Sequence, residues 1–394
     1  MSQPKLWTKD FVIIFIVNFV LSVSVFIFMV IMSVYAIDKY DASISEAGLV
    51  TGVFVVGALL ARLFIGRSID RIGTKKTLFI GLTLNILAIA LYLIDFGTIF
   101  LLITRFLNGI TYGIASTAAG TIVAQIIPEA RKGEGIGFFS MSTILAAAIG
   151  PFLGMYMTQN VSYQIIFLLC TLLAIICLTI SYFVTVPTVE GNIEKSDGKE
   201  LKLNFIERKT VPIALVILVL GFCYSGILTF LNYYAIENDL VQPASFFFVL
   251  YSIAILLSRP FTGRLMDRKG ANYVMYPGFV LFTIGLLLLS SAQNGLMLLL
   301  SSIIIGLGFG NLQSCAQAIA IKGLPTHSVG LATSTFFIFI DIGMGFGPYL
   351  LGFIIPFISI NNLYAFLAIF VIVSAALYFL LYGRKEKNMY NVTA

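Results

Sequence analysis

Asp341 stands inside "FFIFIDIGMGFGPYLLGF", residues 336–353, where every other residue is apolar, aromatic, glycine or proline. Of the 18 acidic residues, it alone falls deep in an apolar run. An ionised group at the centre of a membrane span costs about 2.5–3.5 kcal/mol on insertion scales. Burial favours the neutral form of a carboxyl and hydration the ionised form. A group that alternates between the two can carry a proton. The competing reading is a permanently protonated acid, hydrogen-bonded to a neighbouring helix. Arg105 bears the same insertion cost in "LLITRFLNGITYG", residues 101–113. It either holds backbone carbonyls or takes part in proton coupling or ligand binding. Arg62 and Arg259 also fall within apolar runs. Other polar groups there are sparse, and Asn18, Asn108, Tyr112, Tyr224, Asn232, Asn311 and Gln313 are the candidate ligand contacts. With 35 Phe around so few fixed polar groups, a cavity would suit hydrophobic, amphipathic or cationic small molecules.

Other chemistry is poorly supplied. The four cysteines, Cys170, Cys177, Cys223 and Cys315, form no CxxC pair and read as small buried apolar residues. The single histidine, His327, has no ligand types beside it. There is no HExxH and no GxxxxGK[ST] phosphate loop. No metal, cofactor, enzymatic activity or ATP-driven cycle in one polypeptide is expected.

The elements that position these residues are membrane helices. The 394 residues are 59% hydrophobic and 11% charged, and mean hydropathy is +1.01. Soluble domains carry roughly 25% charged residues. Apolar runs of about 20 residues, the length of a spanning helix, recur at 11–36, 45–66, 76–94, 98–124, 134–158, 163–186, 211–236, 243–265, 273–291, 295–320, 329–356 and 361–382. The first is too long for a signal-peptide core and reads as a retained helix. With the N-terminus placed inside, twenty of the 24 Lys and Arg fall in inside segments and only Lys39 outside. Both termini are therefore expected in the cytoplasm. The net charge of +6 reflects this topology and requires no nucleic-acid partner.

The chain is a duplication. "ARLFIGRSIDRIG" (61–73) matches "SRPFTGRLMDRKG" (258–270) at a step of 197 residues. The same step carries Gly109 to Gly306, Gly113 to Gly310 and Gly150-Pro151 to Gly347-Pro348. It also carries Arg62 to Arg259, whereas Asp341 falls back on Ile144 and Arg105 forward on Ser302. The charged, aromatic-poor stretch 187–210 reads as a cytoplasmic linker between a first bundle, 1–186, and a second, 211–394. The small-xxx-small pairs Gly109/Gly113, Gly150/Gly154 and Gly306/Gly310 let helices approach closely.

"GRSIDRIGTKK" resembles the signature loop of the major facilitator superfamily. "LLITRFLNGITYG" resembles its fourth-helix motif, and "AAAIGPFLGMYM" (146–157) its fifth-helix Gly-Pro motif, although Gly154 is followed here by Met155. The resemblance covers the whole chain. It implies an all-α fold of 12 transmembrane helices in two pseudo-symmetric six-helix bundles. It further implies a monomeric secondary transporter in the cytoplasmic membrane, one that exports small drug-like compounds by proton antiport. Export of a specific metabolite, such as a siderophore or sugar, and proton-coupled uptake are the alternatives. A membrane sensor would need a soluble signalling domain, for which no segment is long enough. Asp341, on its isolation and depth, and Arg105, in line with the fourth-helix motif, are the proton-coupling candidates. The gating candidates are Gly66, Asp70, Arg71, Gly73, Gly263, Asp267, Arg268, Gly150, Pro151, Gly154, Gly347 and Pro348. The acids among them would cap helix N-termini of the opposite half.

Overall fold

The computed structural model describes residues 5–128, 132–186, 206–322, 324 and 326–384. The side-chain surroundings of Gly66, Arg67, Asp70, Arg71 and Asp267 lie outside this description, as do His327 and most of the expected linker. Among the described residues the regular structure is helical, and twelve stretches are long and apolar enough to cross a membrane. The first half holds α1 (Lys9–Tyr40), α2 (Ile44–Ile72), α3 (Thr74–Ala90), α4 (Gly97–Ile126), α5 (Lys132–Asn160) and α6 (Tyr163–Ser181). The second holds α7 (Val211–Glu237), α8 (Val241–Ser245), α9 (Phe247–Lys269), α10 (Asn272–Ser290), α11 (Gly295–Ile305), α12 (Asn311–Ile321), α13 (Thr326–Ile358) and α14 (Ile360–Tyr378).

Two expected spans are each built from two pieces. The eighth is α8 continued by α9 after Phe246. The tenth is α11 and α12 joined by a π-helical turn, Gly306–Gly310. Its sequence, GLGFG, has three glycines, which tolerate the widened turn.

Local chemistry sets the helix ends. Thr8 Oγ1 accepts from Phe11 N and opens α1. Ser43 and Glu46 form a reciprocal capping box that opens α2. Gly73 and Gly270, partners at the repeat step, close α2 and α9 at φ +92° and +96°. A side chain is disfavoured at both, which accounts for the glycine in each copy of the loop.

The duplication is visible in the packing. A Cβ on Gly109 would meet Phe54 O at 2.0 Å, and one on Gly306 would meet Tyr251 O at 2.5 Å. Phe54 and Tyr251 are themselves one repeat step apart. Gly113 against Ala58 and Gly310 against Ile255 repeat the correspondence. Each half thus packs its second span closely on its fourth at corresponding glycines.

The start of α1, the end of α6, the start of α7 and the end of α14 share one end of the bundle, the termini end. At the far end the two halves are in contact. Cβ atoms on Gly48 and Gly52 of α2 would lie 2.1 Å from Pro348 O and 2.0 Å from Gly345 O of α13. Ser33 Oγ donates to Thr229 O at 2.8 Å, and Gln159 Nε2 donates to Ser245 Oγ at 3.0 Å. Lys39, placed outside by the charge count, pairs with Asp95 at 3.1 Å. The Lys39 ammonium, with help from Tyr40, holds the Asp95 carboxyl below its ordinary range. The outer flanks are apolar, and Phe357 is 88% exposed, as a lipid-facing side chain would be.

Candidate functional site: an interhelical ion pair beside a central cavity

Asp341 is not an isolated acid. Arg62 Nη1, from α2 in the other half, donates to Asp341 Oδ2 on α13. Asp341 is the more buried partner, with 15% of its side chain exposed against 34% for Arg62. The Arg62 guanidinium also lies 6.0 Å from the Tyr112 ring centroid, and Tyr112 packs on Phe54 at 5.6 Å. Arg62 was legible as a cation within an apolar run. Its partner was not, because the two residues are 279 positions apart in different halves.

Arg105 lies elsewhere. It is fully buried, with Nε donating to Val50 O at 3.1 Å and its guanidinium 4.6 Å from the Phe54 ring centroid. It is thus held against the face of α2, and it is absent from the residues lining the cavity described next.

A cavity of about 210 Å³ lies between the halves. Ligand sites commonly run to about 300–1,000 Å³, so in this conformation the cavity is smaller than most of them. The first half contributes Phe26, Thr143, Ile144 and Ala147 to its wall. The second contributes an aromatic face, with Tyr224 stacked on Phe309 at 4.3 Å and on Tyr251 at 5.7 Å. Polar groups on the same side are Ser252, Gln313, Ser314, Gln317 and Arg259. Ile340 and Met344, which flank Asp341 on α13, also line it.

Of the candidate ligand contacts, Tyr224 and Gln313 line the cavity. The others are engaged or buried away from it. Asn18 Nδ2 donates to Ser142 Oγ at 2.7 Å and to Thr143 Oγ1 at 3.1 Å, tying α1 to α5. Asn108 accepts from Tyr92 at 3.4 Å. Asn311 donates to Ser258 at 2.9 Å and accepts from Thr262 at 2.9 Å, bracing α9 against α12. Asn232 is buried in α7. Arg259, Gln317, Tyr251 and Ser314 line the cavity without having been among the candidate ligand contacts. Gln317 and Arg259 stood out as polar groups in apolar runs, whereas Tyr251 and Ser314 carried no such signal.

The gating candidates divide. Gly150 and Gly154 approach α1, with Cβ positions 2.6 Å from Phe26 Cβ and 3.1 Å from Ile31 Cγ2. A Cβ on Gly347 would lie 2.2 Å from Ser225 Oγ. Pro151 and Pro348 lie inside α5 and α13. Gly263 has open space around it. Arg268 is exposed in the last turn of α9. Asp70, Arg71 and Asp267 are helical in backbone, and their contacts lie outside the description.

The profile of the Major Facilitator Superfamily matches residues 14–344 and 241–394. An uncharacterised MFS-type transporter of Methanocaldococcus jannaschii is 30% identical over 372 residues, covering 93% of this chain and 96% of that protein. The multidrug resistance protein MdtG of Dickeya zeae is 23% identical over 391 residues, covering 95% of this chain and 93% of the relative. Among solved structures, a bacterial homologue of the human lysosomal transporter Spinster, inward-facing and unoccupied, is similar with a TM-score of 0.80 at 13% identity. That likeness covers 97% of this chain and 98% of the other, and it concerns the fold alone.

Proposed function

Because the chain belongs to the Major Facilitator Superfamily of membrane transporters, we propose that it exports small organic compounds by proton antiport and alternating access. The observation that carries this reading is the Arg62–Asp341 pair, which joins α2 of one half to α13 of the other beside the cavity. A proton on Asp341 removes the charge attraction between the halves, so occupancy by a proton and the contact between halves are linked. Because the far end is packed, we assign access to the cavity to the termini end. The lysine and arginine distribution supports placing that end in the cytoplasm. Opening the far end requires α2 and α13 to separate along their glycine seam.

The energetics are adequate. One proton entering down about 100 mV contributes about 2.3 kcal/mol, and one pH unit adds about 1.4 kcal/mol. Export is favoured over uptake by the similarity to a multidrug resistance protein, although that relative is distant. Asp70 and Asp267 are assigned the capping of helices across the termini end, and Arg105 the bracing of α2 against α4.

The test is efflux of a series of small radiolabelled aromatic compounds, acidic, neutral and basic, from cells expressing the wild type or Asp341→Asn at matched membrane levels. The wild type should export at least one compound, a protonophore should abolish that export, and Asp341→Asn should lose it. Export by Asp341→Asn at the wild-type rate would remove Asp341 from the coupling.

A further inference from the structure

Arg259 is the repeat counterpart of Arg62, one step of 197 residues along the chain. The counterpart of Asp341 at the same step is Ile144. Both Arg259 and Ile144 line the central cavity. The pseudo-symmetric positions that form an ion pair on one side of the molecule therefore hold a cation and an aliphatic side chain on the other. Arg259 is exposed at the cavity, and Nη2 donates to Ser314 Oγ at 3.0 Å. Among the described residues lining the cavity, it is the one with a formal charge, and none carries a carboxylate. Asp341 does not redress this, because Arg62 already neutralises it.

We propose that Arg259 is a substrate-binding residue, and that the cargo is a small aromatic or amphipathic carboxylate whose anion supplies the counter-charge that Ile144 does not. The chemistry is direct. A guanidinium offers several N–H donors in a planar fork that matches a carboxylate. The aromatic face of Tyr251 receives the apolar part of the ligand, and Gln313 and Gln317 supply further amide donors. A cationic ligand, which the sparse polar content alone would admit, meets a like charge at Arg259. An anion leaving a negative-inside cell moves down the membrane potential, which favours export of this class. The inference rests on the transport reading for its meaning, but its test measures binding alone, so the two can fail separately.

The experiment is equilibrium binding of radiolabelled phenylacetate to the purified full-length protein in detergent. Unlabelled phenylacetamide and phenethylamine, of similar shape but neutral and cationic, serve as competitors. Phenylacetate should bind at least about tenfold more tightly than either, a difference of about 1.4 kcal/mol. Arg259→Gln should lose about tenfold in affinity, Arg259→Lys should recover part of it, and Ile144→Asp should suppress binding by supplying an internal carboxylate. Size-exclusion profiles and melting temperatures establish that the variants are folded. Equal or stronger binding of phenethylamine overturns the proposal, as does phenylacetate affinity unchanged in folded Arg259→Gln. Absence of phenylacetate binding at millimolar concentration overturns it too.

Discussion

At the residue scale, the Arg62–Asp341 pair has to be judged as a pair. Removing one member of a buried ion pair leaves the other charge uncompensated, at a cost of about 3–5 kcal/mol, whereas replacing both by apolar residues is often close to neutral. Arg62 retains some exposure, so the lower part of that range applies. Asp341→Leu is therefore expected to lower the melting temperature of the purified protein, and the double variant Arg62→Met/Asp341→Leu to recover most of the loss. Proton-coupled transport should be absent from both. A thermal-unfolding series on the wild type, Arg62→Met, Asp341→Leu and the double variant measures the coupling directly. If the single and double variants melt alike, the pair contributes no stability and its role is confined to transport.

At the scale of elements, glycines of similar appearance have different duties. Gly109 sits where a methyl group would penetrate the backbone of α2, 2.0 Å from Phe54 O. Gly109→Ala forces α4 and α2 apart and should cost about 1–3 kcal/mol. Gly263 is also helical, but a methyl there meets nothing within 4 Å. Gly263→Ala should be neutral or stabilising by up to about 1 kcal/mol, the helix-propensity difference. Thermal unfolding of the two variants in the same detergent checks the contrast. In sequence both are conspicuous glycines of the repeat. Only the packing separates a contact glycine from one with room to spare.

At the scale of the whole molecule, the far-end contacts must part if the halves alternate. Gln159 and Ser245 lie across this boundary, with Nε2 and Oγ 3.0 Å apart. A Gln159→Cys/Ser245→Cys variant should cross-link under mild oxidation and lose transport, and a reducing agent should restore it. The four native cysteines are all buried and should stay silent in this assay. Transport that persists in the cross-linked protein would show that this end does not open.

The sequence by itself determined the membrane class, the twelve spans, the duplication and the family. Each of these rests on local or periodic information: runs of apolar residues, a fixed 197-residue step, and loop motifs such as "GRSIDRIGTKK". It also singled out Asp341, because one acid among apolar residues is costly enough to need a reason. Partners were decided by the tertiary structure alone. Arg62 reaches Asp341 from another half of the chain, Asn18 and Asn311 are bound to neighbouring helices, and Arg105 is packed against α2. A polar residue in a span can face ligand, lipid or another helix, and its own neighbours in sequence do not distinguish these. The unequal use of the two repeat arginines follows from the same cause. Their sequences are alike, but one is paired with an aspartate, whereas the other lines the cavity with an isoleucine at the corresponding repeat position.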